Sequence, residues 1–120
     1  MLIIFFAFAI FHALGDFPLQ GEFLSRAKNR GADLSEFFGS NQPQGIWFHA
    51  LTAHSLIHAG GVWLVSGSVI LAGIELILHW VIDFVKSCDK TSFTVDQILH
   101  YACKMVYAIL LVSFPSTFVV

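Results

Sequence analysis

The chain has 120 residues, 57% of them hydrophobic and 12% charged, with a formal net charge of −2 at pH 7. Soluble domains carry roughly 25% charged residues, so this composition excludes an ordinary water-soluble globule. No basic patch is present that would suit nucleic acid. At this length the chain forms one domain, 1–120, and about 20 apolar residues per crossing leave room for three or four membrane spans. Cys88 and Cys103 show no paired spacing and imply no disulfide framework.

Met1 to Phe11 have the hydropathy of a signal peptide, but they lack a basic leader and a small-x-small cleavage site, and polar His12 follows at once. They are read as a retained helix. The first span is expected over about 2–16, with Pro18 turning Phe17 away from helical geometry. Leu19 to Gln44 is polar but includes Phe23, Leu24, Phe37 and Phe38, which suggests short interfacial helices over 21–30 and 33–39. Asp33 and Glu36 have capping-box spacing.

The second span is expected over about 44–65, starting near Pro43 and containing His49, His54 and His58. Gly60 and Gly61 within it offer a thin place for close helix packing. The short Ser66-Gly67-Ser68 turn makes this helix an antiparallel neighbour of the third span, about 69–86. After a polar connection the fourth span covers about 95–113. Thr94 is its expected N-cap, with Gln97 three residues on and a Phe93–Ile98 staple, and Pro115 discourages extension. The fold class is therefore all-α: an integral membrane four-helix bundle with short interfacial helices in its first cytoplasmic connection.

Cations set the orientation. Arg26, Lys28 and Arg30 lie in the first connection and Lys86 and Lys90 at the last, while the Ser66 turn and both termini have none. The positive-inside rule then predicts a multi-pass membrane protein whose first and last connections face the cytoplasm, with both termini outside it. Lys104 is the exception, and it is long enough to snorkel.

Three helices carry a His and an Asp four apart: His12 with Asp16, His79 with Asp83, and Asp96 with His100. Helices one and three descend toward the cytoplasm and helix four ascends, so the reversed order in helix four puts every Asp on the same side. The imidazoles then lie about 6 Å deeper than the carboxylates. His49 is expected at similar depth. The metal set is His12, Asp16, His49, His79, Asp83, Asp96 and His100, whose nitrogen and oxygen donors suit one or two divalent ions, zinc, manganese or iron.

Ordinary explanations compete. Asp96 in a first helical turn meets the helix dipole favourably, whereas Asp16 and Asp83 in last turns oppose it. Asp83 can pair with Lys86 on its own face, and a single intramembrane His is commonly a packing residue. Deeper in the bundle, His54 is expected to contact Glu75 or Lys104, a pair that can simply fix packing. Gln20, His54, Glu75, Lys86 and Gln97 complete the candidate residues, touching ligands or substrate rather than holding the ion.

The ordered set His12-Ala-Leu-Gly-Asp16-Phe-Pro-Leu-Gln20, Trp47-Phe-His49-Ala-Leu, His79-Trp-Val-Ile-Asp83-Phe-Val-Lys86 and Asp96-Gln97-Ile-Leu-His100 resembles a small membrane family of bacteria and phages labelled domain of unknown function 3307. The resemblance spans nearly the whole chain, implies a bacterial inner (cytoplasmic) membrane setting, and implies no particular activity. A looser likeness joins Leu51-Thr-Ala-His54-Ser-Leu to the Thr-His-Ser segment of inner-membrane proteins described as metal-dependent hydrolases, with Ala53 intervening here.

Three functions fit these residues. The first is a metal-dependent hydrolase acting on a lipid or other amphiphilic ester or phosphoester. The second is a non-enzymatic phage or bacterial membrane factor with a structural metal or polar core, binding a host membrane protein. The third is an ion or proton pathway through Glu75, His54 and His58, which would require a homo-oligomer.

Overall fold

The computed structural model describes residues 1–118. They form seven helices, α1 (Leu2–Asp16), α2 (Gly21–Ala27), α3 (Ser35–Phe38), α4 (Ile46–Ser66), α5 (Val69–Ser87), α6 (Phe93–Ser113) and α7 (Pro115–Phe118). No strand occurs among the described residues. The architecture is all-α, with α1, α4, α5 and α6 bundled and α2–α3 packed across one end.

Among the described residues only α6 is by itself long and apolar enough to cross a membrane; α1 and α2 meet that standard together, across an 87° bend. The four expected spans thus reduce to one helix, or two with the bent pair. Length accounts for α1, since fifteen residues reach about 22 Å against a hydrocarbon core of about 30 Å. Polarity accounts for the others, because α4 carries three histidines and α5 carries Glu75, His79, Asp83 and Lys86.

Burial is inverted relative to a soluble protein. His12, His54, His58, Glu75, His79, Asp83, Asp96, His100 and Lys104 are all buried, while Ile3 is 86% exposed, Leu64 72% and Ile77 65%. Two apolar clusters flank the polar interior. At the Ser66-turn end, Phe8, Val62, Leu71, Tyr107, Ala108 and Leu111 pack together. At the other, Ala27 and Leu34 of the α2–α3 segment close on Ala50 of α4.

Local chemistry explains the helix ends. Gly67 adopts φ 69°, a left-handed turn that L side chains resist, and Ser68 caps α5 by accepting from the Leu71 N–H at 3.2 Å. The cap of α6 is Ser92, not Thr94: its hydroxyl accepts from the Val95 N–H at 3.2 Å and the helix starts one residue before Thr94. The Asp33 and Glu36 capping box does not form either. Asp33 accepts from the Ser35 N–H at 2.9 Å, which holds its carboxyl below the usual range, while Glu36 turns back to Arg26. Bonding to Glu36 in turn raises the Arg26 guanidinium above its ordinary value. The α2–α3 segment is stapled to itself.

Close approach of α1 to α4 depends on two glycines. A Cβ at Gly61 would lie 3.0 Å from Phe11 Cβ, and one at Gly15 would lie 2.5 Å from His58 Cε1. The His58 ring cannot readily retreat, because it stacks on His79 with centroids 3.7 Å apart. Gly15→Ala is therefore expected to destabilise the protein by about 1–3 kcal/mol through overpacking. Gly60→Ala, where no atom stands within 4 Å, should stay within about 0.5 kcal/mol of the parent. Equilibrium unfolding of the two variants measures the difference.

Candidate metal centre

α1 and α5 run toward the α2–α3 end while α4 and α6 start from it. Their side chains therefore meet at one level. Asp16 from the last turn of α1 lies 3.1 Å from His58 Nε2 and 3.5 Å from His54 Nε2, both on α4. Asp83 from α5 lies 3.4 Å from His54 Nε2 and 3.1 Å from His100 Nε2 on α6. Asp96 stands 3.7 Å from His100 Nε2, and His12 Nε2 is 3.3 Å from Asp16. Four helices contribute to one cluster.

The rings form a contiguous group. His79 stacks on His58 and on His100, with centroids 3.7 and 4.1 Å away, and His12 sits 5.0 Å from both His58 and His100. One nitrogen of His79 is oriented from below: Nδ1 lies 3.2 Å from Glu75 Oε1, while Nε2 is buried without a hydrogen-bond partner. A carboxylate behind one ring nitrogen, with the other nitrogen free, is the arrangement that orients metal-binding histidines. Glu75 is itself held by the buried ammonium of Lys104.

Three groups within the cluster have the spacing of a metal site: Asp16, His54, His58 and His79; His12, His79 and His100; and Asp83, Asp96 and His100. In each, one donor atom per residue lies within 4.8 Å of all the others. Bonds of about 2.0–2.1 Å around a tetrahedral ion put its ligand atoms about 3.3 Å apart, close to the 3.1–3.5 Å separations between Asp16 and the α4 histidines. His58 Nε2 makes no aligned hydrogen bond despite its 3.1 Å approach to Asp16, and Asp96 Oδ1 is likewise buried without one. Unpaired buried polar atoms of this kind need an explanation. These donors could hold a metal ion. Charge points the same way, since the carboxylates of Asp16, Glu75, Asp83 and Asp96 outnumber by one the ammonium groups of Lys28, Lys86 and Lys104 that touch them.

His49 does not belong to the cluster: it is exposed and lies against Phe48. At 100° per residue it points about 140° away from His54 and about 180° away from His58. The α2–α3 segment packs beside the first turns of α4, so the cluster meets that helix further along, at His54 and His58. His54 accordingly contacts Asp16 and Asp83 instead of Glu75 or Lys104. Lys86 binds Asp96 at 3.2 Å and covers the Phe93 ring at 4.7 Å, leaving Asp83 to Lys28. Gln97 reaches across to α1, donating to Asp16 Oδ2 at 2.8 Å, with its carbonyl oxygen 3.4 Å from His12 Nε2. Gln20 donates to the Asp16 backbone carbonyl at 3.0 Å and supports the end of α1. Lys28 carried no signal in the sequence beyond its charge.

Fold and site together define an all-α protein with a buried His/Asp cluster able to hold a divalent ion. The chain belongs to the family described as Protein of unknown function (DUF3307), whose profile matches residues 4–119. No curated protein and no solved structure matches it.

The Glu75–Lys104 pair gives a stability test. Lys104→Met leaves a carboxylate buried without its cation, at an expected cost of about 3–5 kcal/mol. Glu75→Gln combined with Lys104→Met should recover much of that loss. A double-mutant cycle from chemical unfolding measures the coupling.

Proposed function

We propose that this protein is a metal-dependent hydrolase of a membrane surface, acting on a lipid or other amphiphilic ester or phosphoester at the cytoplasmic leaflet. The observation that carries the reading is the set of inward-facing ring nitrogens and carboxylate oxygens contributed by four helices, several of them buried without hydrogen-bond partners. A divalent ion held there supplies Lewis acidity that brings the pKa of water into the physiological range.

Support for the membrane setting comes from the inverted burial. Buried ionisable groups surrounded by exposed Ile, Leu, Val and Phe are costly in water and natural in lipid, where such groups turn inward. The basic residues Arg26, Lys28, Arg30, Lys86 and Lys90 at the α2–α3 end favour the cytoplasmic side for the cluster. α2, bent 87° from α1, is then set to lie along the surface.

The site has a polar approach. A cleft of about 560 Å³ opens between Asn29, Gly31 and Ala32 on one side and Lys86, Ser87, Asp89, Thr91 and Phe93 on the other. Lys86 joins this cleft to the cluster through Asp96. In the proposed reaction Lys86 receives the substrate anion, the Asp96 carboxylate takes the proton of the attacking water, and the exposed Phe93 ring meets the acyl portion. Gln97 and Glu75 keep His12, Asp16 and His79 in place.

Near-complete burial of the donors supports a second reading, a structural ion that closes one end of the bundle in a non-enzymatic membrane factor. Elemental analysis of the detergent-purified chain is expected to find one or two equivalents of zinc, manganese or iron, reduced by more than half in His79→Ala and Asp83→Ala. Full metal content in both variants would remove either reading. Chelation then separates them: an enzyme loses hydrolysis of a phosphodiester probe and keeps its fold, whereas a structural site unfolds and has no hydrolysis to lose.

A further inference from the structure

One ammonium group stands where the cluster has room for a cation. Lys28 lies immediately after α2, and its Nζ donates to Asp83 Oδ2 at 2.7 Å while lying 3.1 Å from His54 Nε2. A lysine ammonium has three donors and no acceptor. His54 therefore meets it with the Nε2 lone pair, the lone pair a metal ion would take. The opposite nitrogen, His54 Nδ1, is buried without a partner.

The two oxygens of Asp83 face different ways. Oδ1 lies 3.1 Å from His100 Nε2, beside Asp96, and Oδ2 faces Lys28 and His54. Beyond His54 stand Asp16 and His58. A single carboxylate thus looks into two sets of donors, one centred on α6 and one on α4. A carboxylate spanning two ions is a familiar feature of helical bundles with paired metals.

Resting on the metal reading above, we propose that the centre takes two divalent ions with Asp83 between them, and that Lys28 occupies the α4-side position as a tethered cation until the second ion displaces it. An ammonium and a divalent ion repel at this range and cannot share one carboxylate oxygen and one imidazole lone pair. Filling the second position therefore requires Lys28 to swing out. Because Lys28 directly follows Ala27, whose side chain is wholly buried with Leu34 against Ala50, its release also frees one anchor of α2. Occupancy of the metal centre and the seating of the α2 segment become linked, and the bound ammonium lowers apparent affinity for the second ion by the fraction of time it closes the position.

The test is a zinc titration of the full chain in detergent against a chromophoric chelator, comparing the parent with Lys28→Met and Lys28→Arg. Two steps are expected in the parent, the second of them tightened about tenfold or more in Lys28→Met and left weak in Lys28→Arg, with the first step unchanged. In the parent alone, which guards against a misfolded variant, amide exchange across Gly21–Ala27 should accelerate between the first and second equivalents of zinc. A single zinc step in all three chains, a second step indifferent to residue 28, or unchanged exchange across α2 overturns the proposal and leaves the metal reading standing. No zinc binding by any chain overturns both.

Discussion

Everything in this molecule answers to the cost of holding carboxylates away from water. Asp83 is the clearest case, with Lys28, His54, His79 and His100 gathered around it from three other segments and its own helix. An ionised carboxylate buried alone is prohibitive, and one surrounded by cations, imidazoles and aligned donors is tolerable. Helix register follows from that requirement. α1 must stop where Asp16 can reach His54 and His58, and α6 must start where Asp96 and His100 can reach Asp83 and Lys86. A one-residue rotation of any helix, about 100°, would turn a charged group away from its partners and toward apolar side chains.

The same requirement explains the interior. In a soluble bundle, apolar side chains exclude water from the core; here the polar groups occupy the centre and the apolar clusters sit above and below them. Packing still limits what can be placed there, as Gly15 shows by surrendering its side chain to the His58 ring. Polar matching and steric fit therefore act on the same contact between α1 and α4.

The His and Asp couples could be read in the sequence because helical periodicity alone puts residues four apart on one face, and antiparallel threading orders their depth. The Glu75 and Lys104 pair was legible for the same reason, each lying about 12 Å deeper than Asp83 or Asp96. His49 misled because its depth was counted from the expected start of a helix, without the thickness of α2 and α3 packed beside that start. Gln97 stood among the candidates through its place in the Asp96-Gln97-Ile-Leu-His100 motif, although its spacing from Thr94 also mimics a capping pair; its side chain spans to α1. Lys28 was the least visible. A lysine in a polar connection normally faces water, and only the fold of α2 against α4 turns it inward.

The two-residue junction between α4 and α5 bears on how such an interior can be assembled at all. These two helices hold His54, His58, Glu75, His79 and Asp83, and almost no chain separates them, so their pairing carries the smallest loop-closure entropy of any long-helix contact in the molecule. Most of the polar groups can thus shelter against one another within a single hairpin before the outer helices arrive. Such a hairpin can form first as a unit, so that α1 and α6 close over groups that are already paired.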